Sequence, residues 1–288
     1  MRENTYSERI RDAARALASA EKVIIGGGSG LSTAAGLDYG GERFQRLFGA
    51  WAVRYGIADM YAGAFFPYPT DEERWAYWAH HVLANRFDEP PLPLYASLLD
   101  LVRNHDFTVI TTNVESQFEK SGFPAERIFE VQGNYGFIQC ARGCHDRLYP
   151  DERLMRNMDE SAHDLKVPAK LVPACPVCGG PMEVHVRMNA FFVENEAWHA
   201  ASAQYDEFVR SRRGRKTVLL ELGVGFNTPG IIRYPFETMT LRDPKNTTLI
   251  RLNKHHPEGI RKSTGETIAF DEDVAQVIED LLERKERI

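Results

Sequence analysis

Val23-Ile24-Ile25-Gly26-Gly27-Gly28-Ser29-Gly30, running on into Leu31-Ser32-Thr33-Ala34-Ala35, reads as a buried strand, a glycine turn and the start of a helix. In such a turn backbone N–H groups can approach a pyrophosphate closely, and the helix N-terminus adds favourable partial charge. Upstream, Ser7 to Ala20 sets Ile10, Ala13, Ala14, Leu17 and Ala18 at helical spacing with the charges opposite, which predicts an amphipathic helix. Downstream, strand-like runs recur at residues 107–111, 128–131, 217–222 and 248–252, with helical patterns at 94–104 and 274–284. This alternation predicts an α/β fold, a Rossmann-like, mostly parallel sheet with helices on both faces. No acidic residue stands about 20 positions beyond the turn at the end of a second strand, so a hydride-transfer domain is not supported.

Two stretches leave the alternation. Residues 41–93 are rich in aromatics (Phe44, Phe48, Trp51, Tyr55, Trp75, Tyr77 and Trp78 among them) and end in Pro90-Pro91-Leu92-Pro93, which reads as a helical excursion with its own core. Residues 139–189 contain the cysteines and read as a small zinc-binding module. The Rossmann-like domain is then discontinuous, over 1–40, 94–138 and 190–288. A chain of 288 residues, 43% hydrophobic, can bury one full-sized core and carry such appendages. Its net charge of −6, with both signs intermixed, provides no basic stripe for nucleic acid. No apolar stretch is long enough for a signal peptide or a membrane span, so no membrane partner and a cytoplasmic location are expected.

Cys140 and Cys144 are separated by three residues, Cys175 and Cys178 by two, and the second pair runs on into Gly179-Gly180. Two close pairs with no cysteine left over predict a closed tetrahedral zinc site of four thiolates, structural because no coordination position stays open. His145 and His185 lie near the cysteines and are expected to be solvated or hydrogen-bonded, not ligands.

Taken together, three segments resemble the sirtuins. Gly28-Ser29-Gly30-Leu31-Ser32 through Gly36-Leu37-Asp38-Tyr39 is similar to their first glycine motif, and Thr111-Thr112-Asn113-Val114-Glu115 to their Thr-Gln-Asn-Ile-Asp. Gln132-Gly133 stands where they have His-Gly, immediately before the cysteine module. The resemblance implies NAD as co-substrate, bound by Gly28, Ser29, Gly30, Ser32, Asp38, Tyr39, Asn113, Glu115, Gln132, Gly223, Gly225 and Asn253. Asn113 and Gln132 would also take part in catalysis. One of Phe226, Asn227 and Thr228 is expected to touch the cofactor.

The departures carry the functional expectation. The proline before Asp38 is absent, Gly40 takes the place of the motif's arginine, Glu115 replaces aspartate, and Gln132 replaces the catalytic histidine. Cleavage of the nicotinamide–ribose bond needs positioning and electrostatics more than a base. Deacylation requires a proton acceptor with a pKa near the working pH, and a carboxamide is not one. The pattern is similar to the microbial class M sirtuins, which implies protein mono-ADP-ribosyltransfer. It also implies as partners a protein acceptor, a lipoylated carrier resembling the glycine-cleavage H protein, and a macrodomain hydrolase. The competing readings are an NAD-dependent lysine deacylase recruiting another base, such as His255 or His256, and a non-catalytic NAD-binding module.

Overall fold

The computed structural model describes residues 5–258 and 266–285; residues 1–4, 259–265 and 286–288 of the expected sheet domain lie outside the described residues. The strands are β1 (Lys22–Gly27), β2 (Asp106–Thr111), β3 (Ile128–Glu130), β4 (Gly133–Cys140), β5 (Tyr149–Pro150), β6 (Met182–Val186), β7 (Thr217–Leu222), β8 (Thr247–Leu252) and β9 (Glu266–Phe270). The helices begin with α1 (Tyr6–Ala18), α2 (Ser29–Ala34), α3 (Gly41–Tyr55), α4 (Met60–Ala64), α5 (Asp71–Val82) and α6 (Pro93–Val102). They continue with α7 (Gln117–Lys120), α8 (Glu152–Ser161), α9 (Glu196–Ser211), α10 (Arg233–Arg242) and α11 (Val274–Lys285).

Six strands form one parallel sheet in the order β3-β2-β1-β7-β8-β9. Counted among themselves this is 3-2-1-4-5-6, the doubly wound arrangement, with its switch point between β1 and β7. Both faces are covered, which is why the central strands read as continuous apolar runs. Val23, Ile25, Val218, Leu220 and Leu222 face a core shared with α1, α2, α6 and α11. Ile24 and Leu219 face the opposite way, toward Phe129, Ile232, Phe236 and the α9 aromatics Trp198 and Tyr205. At the start of α1, Thr5 and Glu8 form a capping box, exchanging bonds between side chains and backbone N–H groups. The edge strand β9 is the one strand of this sheet that the periodicity did not predict.

The second lobe unites what the sequence presented as two excursions. The small sheet has the order β5-β4-β6, with β4 antiparallel to both neighbours. Its core is continuous with that of α3, α5 and α8: Phe44, Phe48, Trp51, Trp75 and Trp78 pack with Tyr135, Ile138, Met155, Met182 and Val184. The expected module edge at 139 falls inside β4, because Gly133 already pairs with Val186 of β6.

One part of this lobe is electrostatically costly. Asp151, just before α8, is fully buried and neither carboxyl oxygen has a hydrogen-bond partner among the described residues. Burial pushes its carboxyl up to about 8, opposed by the nearby Arg86 guanidinium. A carboxyl raised in this way binds its proton more readily in the folded than in the unfolded state. Its stabilising contribution is complete below about pH 4 and is lost as the pH rises through about 8. Asp151→Asn should therefore be nearly neutral in denaturant titrations near pH 4 and stabilising by several kcal/mol near pH 9. Equal effects at both pH values would show that Asp151 stays ionised throughout.

Candidate active site at the sheet switch point

The predicted residues converge because they follow the carboxyl ends of neighbouring strands: Gly28 after β1, Asn113 after β2, Gln132 after β3, Gly223 after β7 and Asn253 after β8. In open α/β sheets this rim, at the switch point, is where ligands bind.

The glycine turn differs from expectation in one respect. The Gly28 and Gly30 N–H groups, expected to face a pyrophosphate, donate to Leu222 O and Gly223 O, each at 3.0 Å. A Cβ on Gly28 would lie 2.7 Å from Gly223 O, and one on Gly30 would lie 2.8 Å from Gly223 Cα. Gly223 itself is left-handed, with φ +61°, and a Cβ there would sit 2.2 Å from Leu31 N. Glycine is thus required at all three positions so that two backbones can touch. Ser29, at the first position of α2, is exposed.

Asn113 is held by this turn. Its Nδ2 donates to Gly28 O (3.0 Å) and to Ser32 Oγ (2.9 Å), and since a carbonyl oxygen can only accept, the amide orientation follows. Both amide hydrogens are spent on protein, which leaves Oδ1 as the group Asn113 can present. Glu115 lies beneath it, buried, accepting from Ser32 Oγ at 2.6 Å, Tyr95 OH at 3.3 Å and Val114 N at 3.0 Å. Burial raises its carboxyl pKa, against those hydrogen bonds. Glu115 is therefore no solvated loop charge; it orients the Asn113–Ser32 pair. Tyr95, from α6, was not anticipated: no local motif marks a tyrosine eighteen residues before Asn113.

Gln132 sits between β3 and β4, half-buried, its own carbonyl accepting from Arg187 N (2.9 Å). Its Oε1 is enclosed yet accepts no hydrogen bond among the described residues, as expected of a group that meets a ligand. Two residues earlier, Glu130 accepts from Ser116 Oγ (2.7 Å) and from Asn134 Nδ2, and burial pushes its carboxyl up to about 7. This staple joins the segment after Glu115 to the segment after Gln132. Asp38 is exposed and caps its own turn, Oδ1 accepting from Gly40 N at 3.0 Å. Tyr39 is half-buried, its hydroxyl 3.1 Å from that of Tyr135.

On the far side of the switch point, Asn253 donates to Val224 O (2.8 Å) while its Oδ1 accepts from His255 N and His256 N (3.1 and 2.9 Å). Its side chain shapes two loops, one Nδ2 hydrogen holding the Val224 carbonyl and Oδ1 holding the turn at His255 and His256. Gly225, Phe226, Asn227 and Thr228 are exposed. The Phe226 ring packs against His256, and His255 and His256 lie exposed on the turn before Pro257.

The cysteines meet at the other end of β4. All four sulfurs lie within 4.8 Å of one another, with Cys140–Cys178 at 3.7 Å and Cys144–Cys175 at 3.6 Å. Thiolates about 2.3 Å from a tetrahedral zinc ion stand roughly 3.8 Å apart, so the donor set fits. His145 Nδ1 lies 3.1 Å from Cys144 Sγ and its Nε2 2.9 Å from Tyr149 OH, while His185 Nε2 donates to Val193 O at 3.0 Å. Both are hydrogen-bonded, as anticipated.

Two tests follow from these contacts. Gly223→Ala should lose about 2–4 kcal/mol in urea denaturation, while Gly225→Ala, with nothing within 4 Å of its Cβ position, should lose less than about 1 kcal/mol. Elemental analysis should find zinc bound at one site per chain. Cys175→Ser should abolish it and lower the melting midpoint by roughly 10 °C; retention of metal by that variant would point to a different ligand set.

No protein-family model matches the chain. Among curated proteins, a protein ADP-ribosyltransferase of Staphylococcus aureus (strain Mu50) is 32% identical over 267 residues, covering 91% of this chain and 84% of that protein. A probable bifunctional ADP-ribose hydrolase/ADP-ribosyltransferase of Fusarium oxysporum f. sp. cubense is 33% identical over 299 residues, covering 98% of this chain but 49% of that longer protein. Among solved structures, Sir2Tm bound to a propionylated peptide superposes with a TM-score of 0.62 at 17% identity, covering 96% of this chain and 98% of that one. A Sir2 complex with a p53 peptide and NAD+ gives 0.59 at 17% identity, covering 97% and 99%. The structures establish the fold, and with the bacterial relative matched along most of both lengths, the chain belongs to the sirtuin-like protein ADP-ribosyltransferases.

Proposed function

We propose that this protein is an NAD-dependent mono-ADP-ribosyltransferase that releases nicotinamide and passes ADP-ribose to a protein side chain. The observation that carries the reading is Gln132, a side chain that cannot titrate, standing after β3 with its Oε1 enclosed and unpaired. As the bond between nicotinamide and C1′ breaks, its electron pair leaves with nicotinamide and positive charge develops on the ribose. The negative end of the Asn113 carboxamide dipole, turned outward by Gly28 O and Ser32 Oγ, suits that charge. A carboxylate acceptor then attacks C1′ with its own lone pair. No proton has to be removed for that step, so a glutamine suffices to orient the ribose.

Among the described residues, deacylation has no unengaged base beside Gln132. His255 and His256 are exposed on a turn, and both Glu130 oxygens are occupied by Ser116 and Asn134. The names of the bacterial and fungal relatives support transfer, and the fungal protein couples it to ADP-ribose hydrolysis. That coupling fits a hydrolase of the macrodomain type as the partner that reverses the modification. A lipoylated carrier, the partner implied by the sequence resemblance, is the acceptor to test.

The test is mass spectrometry of the protein with labelled NAD, offered an acyl-lysine peptide and a lipoylated carrier side by side. An ADP-ribose adduct on the carrier with the peptide intact is expected, and Asn113→Ala should slow nicotinamide release about a hundredfold. A deacylated peptide beside an unmodified carrier would overturn the reading.

A further inference from the structure

The two catalytic candidates stand on different loops, Asn113 after β2 and Gln132 after β3, and a polar staple ties those loops together. Glu130, the last residue of β3, accepts from Ser116 Oγ through Oε1 at 2.7 Å and from Asn134 Nδ2 through Oε2. Asn134 Nδ2 also donates to Ser116 Oγ at 2.7 Å, and its Oδ1 accepts from Gly136 N at 2.8 Å. A backbone N–H can only donate, which sets the Asn134 amide, and a carboxylate can only accept, which commits the Ser116 hydrogen to Glu130. Two backbone bonds flank the staple: Val131 N donates to Thr111 O at 3.1 Å and Tyr135 N to Val114 O at 2.9 Å. Gln132 is thus held on both sides, between Glu130 and Asn134. Gly133 follows it at φ +98°, where a Cβ would sit 2.1 Å from His185 O.

Ser116 gives up two things for this arrangement. Its backbone is left-handed, φ +58°, a conformation disfavoured for a residue with a Cβ. It also stands at the N-cap of α7, where a serine hydroxyl ordinarily accepts from the first N–H groups of the helix, and it makes no such bond. The hydroxyl serves Glu130 and Asn134 instead. Strain and a forgone cap coincide at a buried residue of the rim, and backbone strain gathers where a site demands it.

The charge on Glu130 adds a condition. Burial pushes its carboxyl up to about 7, opposed by the Ser116 and Asn134 hydrogen bonds and by the Arg86 guanidinium, while Glu119 adds to the rise. The Arg86 guanidinium also acts on Asp151, and Lys120 Nζ donates to Arg86 O. Ionised, Glu130 receives both donors. Protonated, it carries a hydrogen on one oxygen, and one bond of the staple is lost or reversed.

We propose that Glu130 is a positioning residue for the transfer reaction, holding Asn113 and Gln132 at a fixed spacing through Ser116 and Asn134 without itself meeting the substrate. This role rests on the ADP-ribosyltransfer reading for the reaction it serves. A misplacement of about 1 Å in a site can cost roughly a hundredfold in rate, which is the scale on which such a staple acts.

Glu130→Gln, Ser116→Gly and the double variant test this in the full chain. Glutamine copies the protonated acid, and glycine relieves the left-handed strain while removing the hydroxyl, so Ser116→Gly stays folded. Each single variant should lower kcat for nicotinamide release roughly a hundredfold with the KM for NAD within about threefold, and the double should be no worse than the singles. Wild-type kcat should fall as the pH drops through about 7, and Glu130→Gln should be uniformly slow between about pH 6 and 8. A merely structural role would lower the melting midpoint and leave the kcat of the folded enzyme and its pH profile unchanged. A folded Ser116→Gly with unaltered kcat, or a fall through pH 7 that persists in Glu130→Gln, overturns the proposal. Failure of the wild type to release nicotinamide would instead sink the transferase reading. The staple would then be judged by hydrogen exchange, in which Ser116→Gly should speed exchange over residues 112–116 and 131–135 about tenfold, and unchanged exchange would overturn it.

Discussion

Three glycine backbones in contact, those of Gly28 and Gly30 against Gly223, set the geometry on which the rim of the sheet depends. They lie where β1 and β7 diverge, and any side chain on either loop would force the strand ends apart. Close approach lets the Gly28 and Gly30 amides bond to the β7 side of the switch point, so the turn is built into the sheet before any ligand arrives. Gly28 O is left facing the other way, where it takes the Asn113 amide. A backbone contact thereby orients the first catalytic candidate.

From Asn113 the constraints pass inward through polar groups that cannot be left unpaired. Ser32, Tyr95 and Glu115 form a buried cluster around its amide, and burying a carboxyl there is tolerable because three donors converge on it. The small lobe repeats the principle on a larger scale. Its aromatic core encloses the Tyr77 and Tyr135 hydroxyls, the His81 imidazole and the Arg43 guanidinium, each of them hydrogen-bonded, with Tyr135 and Arg43 reaching the loop that carries Asp38 and Tyr39. The four thiolates at the far end of β4 serve the same strand whose beginning follows Gln132, so the cysteine module braces the site without touching it.

Sequence periodicity was a good guide to the sheet because β1, β2, β7 and β8 are buried on both faces, and burial on both faces demands uninterrupted apolar runs. It missed β9, an edge strand under weaker demand. Cysteine spacing was legible for a related reason: a metal site is a local geometric requirement, written in intervals of two and three residues. The candidate site residues that the sequence could name are those in contiguous motifs. Tyr95, Tyr135, Arg43 and Glu130 are not among them, because each meets its partner across turns of chain that no interval predicts.

The glycines show most clearly where the two kinds of information part. The order of strand, glycine turn and helix, the aromatic core and the clustered cysteines follow from residue type and local spacing alone, whereas the replacement of a titratable residue by Gln132 is what the resemblance to the sirtuins implies. Which backbone approaches Gly28, where its amide points, which protein groups Glu115 and Asn253 bond, and how Arg43 holds the loop at Asp38 were decided by packing. An absent Cβ states that something comes close; the identity of the neighbour depends on distant segments sharing one enclosed volume, in which most buried polar groups find a partner.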